Sequence, residues 1–351
     1  YVDFDAVMTY AEVYLNGKLL GSHKGGYTPF SIDLTDTLTE GENVLVVKVD
    51  STERPDIPPF GYVIDYLCYG GIYRDVYLRV VDQVFIDNIF AKPKKVLESQ
   101  KELETTVYIQ NTTKDEQSLE ITVKLSRDGQ VVAETKETVS AEPGKSSYDV
   151  VMGGLDVLLW DIDNPNLYNV EVTIASEGAK DHYQTRIGFR ETEVKADGFY
   201  LNGEKIMLRG LNRHQSFPYV GYAMPARVQR KDADILKYEL GLNAVRTSHY
   251  PQSPHFLDRC DEIGLMVFEE IPGWQHIGDK DWQAVSCEDV REMLERDWNH
   301  PSIFIWGVRI NESMDSHEFY KETNRIAREL DPTRPTGGVR YLEGSDFLED
   351  V

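Results

Sequence analysis

NHPSIFIWGVRINE, residues 299–312, decides how this chain is read. Behind a Pro turn comes a short apolar run, residues 303–306, of the kind that forms a strand covered on both faces in a parallel sheet. A few residues past its end the run delivers an adjacent amide and carboxylate, Asn311 and Glu312. In α/β barrels, catalytic groups sit just past the C-terminal ends of such strands. A Glu placed there is the sort of residue that protonates a leaving group. Alone, the stretch also fits a solvated loop Glu, so the rest of the chain has to separate the two readings.

Around this stretch the apolar pattern alternates between strand and helix. KIMLRGLNRH (205–214) reads as a strand with a polar end, and PARVQRKDADILKYELG (225–241) as a helix stopped by Gly241. NAVRTSH (243–249) is a strand, and SPHFLDRCDEIG (253–264) a helix ended by Gly264. LMVFEE (265–270) is a strand, EDVREMLERDW (288–298) a helix and SIFIWGV (302–308) a strand. HEFYKETNRIAREL (317–330) is a helix, and PTGGVRYL (335–342) a fifth strand. Such alternation predicts a parallel sheet with right-handed crossovers. Polar strand ends without a GxGxxG fingerprint favour a barrel over a dinucleotide-binding fold. Four to five of eight barrel strands are present, so the barrel is expected to be incomplete at Val351.

Upstream the period is that of strands. AEVYLNGKLLGS (11–22) holds two alternating runs around Asn16-Gly17, a hairpin signal. ENVLVVKVD (42–50) and GGIYRDVYLRV (70–80) are further strands. From residue 83 come IDNIFAKP, LETTVYIQN, a long pair around Asp128-Gly129, YNVEVTIAS and HYQTRIGF. Strands at this spacing fit an immunoglobulin-like sandwich. The expected division is residues 1–82, 83–187 and 188–351.

Composition narrows the function classes. With 41% hydrophobic and 11% aromatic residues, the 351-residue chain is globular and long enough for two or three domains. A net charge of -23, from 60 acidic against 37 basic residues, disfavours nucleic acid and anionic membranes as partners. No apolar run is long enough to span a bilayer. Cys68, Cys260 and Cys287 are far apart and suggest neither a zinc site nor a disulfide framework. No leader is visible, and the first ten residues, YVDFDAVMTY, already read as a strand, so the chain is expected to start inside a domain.

Two segments resemble the signatures of glycoside hydrolase family 2. NAVRTSHYP with FLDRCDEIGLMVF, within residues 243–268, resembles the first. DWNHPSIFIWGVRINE, residues 297–312, resembles the second, which carries the acid/base. RGLNRH at 209–214 is most similar to the β-galactosidase branch. The resemblance implies a jelly-roll sugar-binding domain, an immunoglobulin-like sandwich and the N-terminal part of a (β/α)8 TIM barrel, truncated at both ends. It implies hydrolysis of terminal β-D-galactosides with retention. The alternatives are a β-glucuronidase or another exo-β-glycosidase of the family. From a different class, the chain could be a carbohydrate-binding or assembly module, which has no need of an Asn-Glu pair at a strand end.

Carried over by residue, the resemblance implies that Glu312 is the general acid/base and that Asn311 bonds the sugar 2-hydroxyl. It implies that His249 and His214 contact the sugar and that Arg246 orients the nucleophile. Asp65, six residues before Gly71-Ile72-Tyr73-Arg74, is implied to reach the terminal sugar from the first domain. The chemistry suits these types, since glycoside cleavage needs one protonated and one ionised carboxyl, and neutral His recognises hydroxyls. Each also has a plainer reading: His249 as a core His, Arg246 as a charge balance, His214 as a loop residue, and Asp65 as a turn former. Glu269 and Glu270 end the third strand, one of them pointing inward as a structural charge partner. Trp274 and Trp306 are expected to pack.

Two departures from the family pattern follow. The nucleophile is expected beyond residue 351. Metal-dependent galactosidases carry Glu-x-His after the third strand, where this chain has Trp274-Gln275-His276, so neither a metal nor another cofactor is expected. The expected partner is a carbohydrate substrate. A homo-oligomer is compatible with the resemblance, and a bacterial cytoplasm is the expected location.

Overall fold

Local turn chemistry sets the β domains. The structure, a computed structural model, describes residues 1–176 and 180–351. At Asn16-Gly17 both residues have positive φ, 52° and 81°, and join strands Tyr10–Leu15 and Lys18–Lys24. Asp128-Gly129, at 50° and 77°, joins Gln117–Arg127 to Gln130–Ala141. Two left-handed residues in succession give the turn whose twist matches that of antiparallel strands.

The first domain sets two three-stranded antiparallel sheets around Val2, Phe4, Val13 and Leu15. One sheet centres on Tyr10–Leu15 and the other on Val2–Phe4. The 70–80 stretch, expected as one strand, is two. Gly71–Ile72 pairs with Val7–Met8, and Val76–Leu78 pairs with Val2–Phe4. The second domain is a sandwich of a three-stranded and a four-stranded antiparallel sheet, the immunoglobulin-like arrangement. Its strand Tyr168–Ala175 alternates strictly, burying Tyr168, Val170, Val172 and Ile174.

In the third domain five parallel strands lie side by side in chain order: β1 (Gly210–Asn212), β2 (Ala244–Arg246), β3 (Met266–Glu270), β4 (Ile303–Gly307) and β5 (Thr336–Gly337). Between them run α1 (Ala226–Asp234), α2 (Pro254–Ile263), α3 (Lys280–Asp297) and α4 (His317–Leu330). All five residues of β4 are buried, as its uninterrupted apolar run requires. Three expectations change. Residues 205–214 are not one strand, because Asn202-Gly203, at φ 52° and 80°, folds Glu204–Ile206 back onto Gly198–Leu201 and β1 starts only at Gly210. α3 begins at Lys280 rather than residue 288, because the Asp279 side chain accepts the Trp282 N–H and caps it. β5 is only two residues long. Among the described residues, no helix is long and apolar enough to cross a membrane.

Side chains from all three domains meet on the barrel. Trp298 donates to the Ile89 carbonyl at 2.8 Å and stacks on Phe90 of the sandwich. Trp282 of α3 donates to the Phe60 carbonyl of the first domain at 2.9 Å. Trp160 of the sandwich donates to the Asp261 carbonyl of α2 at 2.8 Å.

Gly264 ends α2 at φ 69°, and a Cβ there would sit 2.5 Å from the Ile162 carbonyl oxygen. Gly241 has a similar φ of 68° but open space around it. Gly241→Ala is therefore expected to cost only the left-handed penalty, about 1–2 kcal/mol. Gly264→Ala should cost that and more, since backbone must move. Denaturant unfolding of the two variants measures the difference, and equal losses would mean that the Ile162 contact relaxes freely.

Candidate active site

The C-terminal ends of β2, β3 and β4 bring three sequence-distant groups together. Arg246, the last residue of β2, donates to Glu270 at 2.8 Å and to the Asn311 side-chain oxygen at 2.6 Å. His249 Nδ1 lies 3.1 Å from Glu270 and 3.2 Å from Arg246. The guanidinium can only donate and the Glu270 carboxylate can only accept, and the shorter contact, to Glu270, favours the tautomer with the proton on Nδ1. Glu270, Asn311 and His249 are 1%, 2% and 7% exposed, so this is a buried polar group satisfied internally.

Strand alternation separates the two acids that end β3. While Glu270 faces Arg246, Glu269 accepts the Gln252 N–H at 3.0 Å and pairs with Arg296 of α3. Burial and the nearby charge of Asp297 push Glu269 above the usual carboxylate range. The expectation of one inward charge partner thus corresponds to Glu270, and Glu269 serves the packing of α3.

Glu312 stands beside this group and is half-buried. Its φ is 51°, and its N–H donates to the Val339 carbonyl at 2.8 Å. Gln275, also left-handed at 57°, donates from its backbone to the Asn311 carbonyl at 2.8 Å and from its side chain to the Glu312 carboxylate at 3.3 Å. A non-glycine residue in this region costs about 1–2 kcal/mol, so the surrounding hydrogen bonds hold an otherwise unfavoured conformation.

His214 follows β1 and bonds Tyr250 through Nδ1 at 3.2 Å. Burial, then the neighbouring His249, lowers its pKa, while Asp65 and Glu270 pull the other way. Asp65 itself is exposed, on a first-domain loop. The next residue, Tyr66, places its ring 5.3 Å from His214 and 5.9 Å from His249. Arg246, His249 and Asn311 therefore form one hydrogen-bonded cluster with Glu270. Glu312 is tied in through Gln275, His214 by ring contacts, and Asp65 by its field. Sequence reading passed over Tyr66 and Gln275. The first adjoins a residue already singled out; the second lies in the stretch compared with the metal motif. Trp306 is fully buried, with its N–H on Asp331, and Trp274 is half-buried.

Arg246 and Glu270 cancel one another, so the cluster is suited to an uncharged ligand rich in hydroxyls. It is a poor Mg²⁺ site. Gln275 is an amide bonded to Glu312, His276 offers a nitrogen rather than an oxygen, and the position of the first carboxylate is Trp274. Mg²⁺ takes hard oxygen ligands in an octahedron. Elsewhere Asp258, Asp261 and His300 bring ligand atoms within 4.8 Å of one another. Here protein cations already fill the role, since Arg186 pairs with Asp258 at 2.7 Å and His300 with Asp261 at 2.5 Å. Burial alone would discharge His300, but Asp261 outweighs it and pushes the imidazole up to about 9.

Comparison with known proteins gives matches along nearly the whole chain. Residues 1–81 match the model for "Glycosyl hydrolases family 2, sugar binding domain", residues 84–190 that for "Glycosyl hydrolases family 2", and residues 192–349 that for its "TIM barrel domain". A β-galactosidase of Thermoanaerobacterium thermosulfurigenes is 54% identical over 100% of this chain and 50% of its own length. A putative β-galactosidase of Bacteroides fragilis superimposes with a TM-score of 0.89 at 30% identity, over 97% of this chain and 52% of that one. A Bacteroides uniformis β-glucuronidase does so with a TM-score of 0.87 at 30% identity, over 96% and 44%. The chain spans about half the length of the curated relatives it matches.

The His300–Asp261 pair makes stability depend on pH. The folded pKa lies above the ordinary 6.5, so the pair's stabilisation is complete below that value and is lost as pH rises through about 9. The loss is expected to be on the order of 2–3 kcal/mol. Denaturation midpoints at roughly pH 6 and roughly pH 9.5 should differ in the wild type and much less in His300→Gln. The same slope in both proteins would place the titration elsewhere.

Proposed function

The chain belongs to glycosyl hydrolase family 2, and from that premise we propose that it carries the acid/base part of the active site of a retaining exo-β-glycosidase acting on terminal β-D-galactosides. The observation that carries this reading is Glu312, a half-buried carboxylate next to the cluster of buried Asn311 and Glu270 with the partly buried Arg246 at the barrel mouth. In it, Glu312 protonates the leaving oxygen and later takes the proton from water. Asn311 gives its carbonyl oxygen to Arg246, which leaves its amide N–H groups for the sugar 2-hydroxyl. Such a bond gains strength as charge develops at the anomeric carbon. His249 and His214 meet ring hydroxyls, and Asp65 comes to the terminal sugar from the first domain. Arg246 orients the nucleophilic carboxylate, which is assigned to a position past residue 351, about 5–5.5 Å from Glu312 as retention requires. The working domain division is 1–82, 83–187 and 188–351.

A β-galactosidase is preferred to a β-glucuronidase because Arg246, the cation of this cluster, is already matched by Glu270. A sugar acid would need a cation for its own carboxylate. A carbohydrate-binding module would not need a carboxylate held by Gln275 in an unfavoured backbone conformation.

Two measurements on protein shown to cleave β-galactosides test the reading. Glu312→Gln should slow hydrolysis of a β-linked disaccharide by about 10²–10⁴-fold. Glycosylation by an aryl galactoside with a good leaving group should suffer less, because it needs little proton donation. Disaccharide hydrolysis within a few-fold of wild type would remove Glu312 from the acid/base role. After exhaustive chelation, activity should persist, and added Mg²⁺ should not raise it, given the ligand set at Trp274, Gln275 and His276. A large loss restored by Mg²⁺ would mean that other oxygens complete a site.

A further inference from the structure

Where the sandwich meets the barrel, a groove of about 260 Å³ opens. Its sandwich wall is the end of strand Val84–Lys94, Lys95, and the exit segment from Ile187 to Thr192. Its barrel wall is the loop before β4, through Asn299 and Pro301, and the loop before β5, from Pro332 to Arg334. Both loops enter their strands, whereas Glu312 lies past the exit of β4, so the groove is at the other end of the barrel from the candidate active site. The two walls are joined. Asn299 accepts the Ala91 N–H and donates to the Ile89 carbonyl, both at 2.9 Å. A Cβ on Gly188 would lie 2.9 Å from that of Pro301.

Charge sets this groove apart from an otherwise acidic chain. Lys92, Lys94, Lys95, Arg190 and Arg334 line it, against the exposed Glu191. Three of the cations have carboxylates of their own, each at 2.6 Å: Lys92 has Glu104, Lys95 has Glu102 and Arg334 has Asp331. Lys94 reaches Glu104 only at 4.0 Å, and Lys92 already holds that carboxylate. Arg190 is 9% exposed, yet its hydrogen bonds go to the Pro301 carbonyl at 2.8 Å, the Thr192 hydroxyl at 3.2 Å and the Ile303 carbonyl, none of them an acid. Arg334 donates to the same Ile303 carbonyl, so two buried guanidiniums meet there. Asp331 does not serve both, because its oxygens also accept from Thr333 and Trp306. Burial, and then the neighbouring Arg334, pull the Arg190 guanidinium down to about 9.

A guanidinium has five N–H groups, and the three bonds leave two of them on Arg190 without a protein acceptor. Buried charges are normally paired. A fixed fork of donors beside an ammonium is the chemistry that binds a tetrahedral oxyanion. We propose that the groove binds a phosphate group through the two remaining N–H groups of Arg190 and through Lys94, and that the bound anion fastens the sandwich to the floor of the barrel. Elsewhere the net charge of -23 repels such an anion. The shared ligand chemistry is a phosphate, either free or carried on a small alcohol. Nothing in this site depends on the role of Glu312.

The test titrates the protein separately with inorganic phosphate and with glycerol phosphate, using sodium chloride at matched ionic strength as the control for screening. Calorimetry gives Kd, and thermal unfolding gives Tm. Phosphate should bind with a Kd on the order of 1 mM and raise Tm, and chloride should do neither. Tighter binding of glycerol phosphate assigns the site to phosphate monoesters, and tighter binding of the inorganic ion assigns it to free phosphate. Arg190→Gln should raise Kd by roughly tenfold or more, and Lys94→Gln by roughly fivefold. Arg190 also bonds barrel carbonyls, so Lys94→Gln, at a side chain 40% exposed, is the decisive variant. A Kd unchanged in Lys94→Gln overturns the site. So does a rise in Tm that chloride reproduces.

Discussion

One guanidinium ties the barrel mouth together. Arg246 reaches Glu270 on the next strand and Asn311 beyond the strand after that, and it lies 3.2 Å from His249 on its own loop. Each partner is nearly inaccessible to water, so each needs the others. Removing the arginine would strand a buried carboxylate, a change that typically costs about 3–5 kcal/mol. Parallel register makes this possible, because neighbouring strands end at nearly the same level and present polar ends to one another.

The first domain is part of the same construction. Its loop after Phe60 is clamped to α3 by Trp282 and carries Tyr62, Asp65 and Tyr66 toward the barrel. Tyr66 closes on His214 and His249, and Tyr27 stacks on Tyr250 at 4.4 Å. A sugar-sized space at the end of an open sheet would be wide and wet. Walls lent by a second domain narrow it and lower its dielectric, which strengthens each hydrogen bond inside.

The charge pattern of the chain and of the site are different matters. A net -23 belongs to the surface. Near Glu312 the charges are locally matched: Arg246 with Glu270, Arg309 with Asp315, and Arg296 shared by Glu269 and Asp297. A site matched in this way selects for hydrogen-bonding shape rather than for ligand charge.

Much was legible in one dimension because it is local. Asn16-Gly17 and Asp128-Gly129 dictate hairpins, Gly264 stops a helix, and the apolar run before Asn311 and Glu312 reads as a covered strand, each through the backbone preferences of a few neighbours. Residue types and spacing marked Asn311 and Glu312 as lying just past a strand end, and the family resemblance added Arg246 and His249. Residues 205–214 were misread because an apolar run cannot show whether Asn202-Gly203 turns it back onto its predecessor. Which of Glu269 and Glu270 faces Arg246 depends on the pleat, and the place of Gln275 against Glu312 depends on two left-handed residues facing one another across loops. Tyr62 and Tyr66 have no signal of their own, since the barrel residues they approach are more than 140 residues away in sequence and arrive only by domain packing. Short-range backbone energetics therefore determined the elements and their order from sequence, whereas the partners of each buried charge and the walls of the groove were decided by long-range burial, which only the tertiary structure resolves.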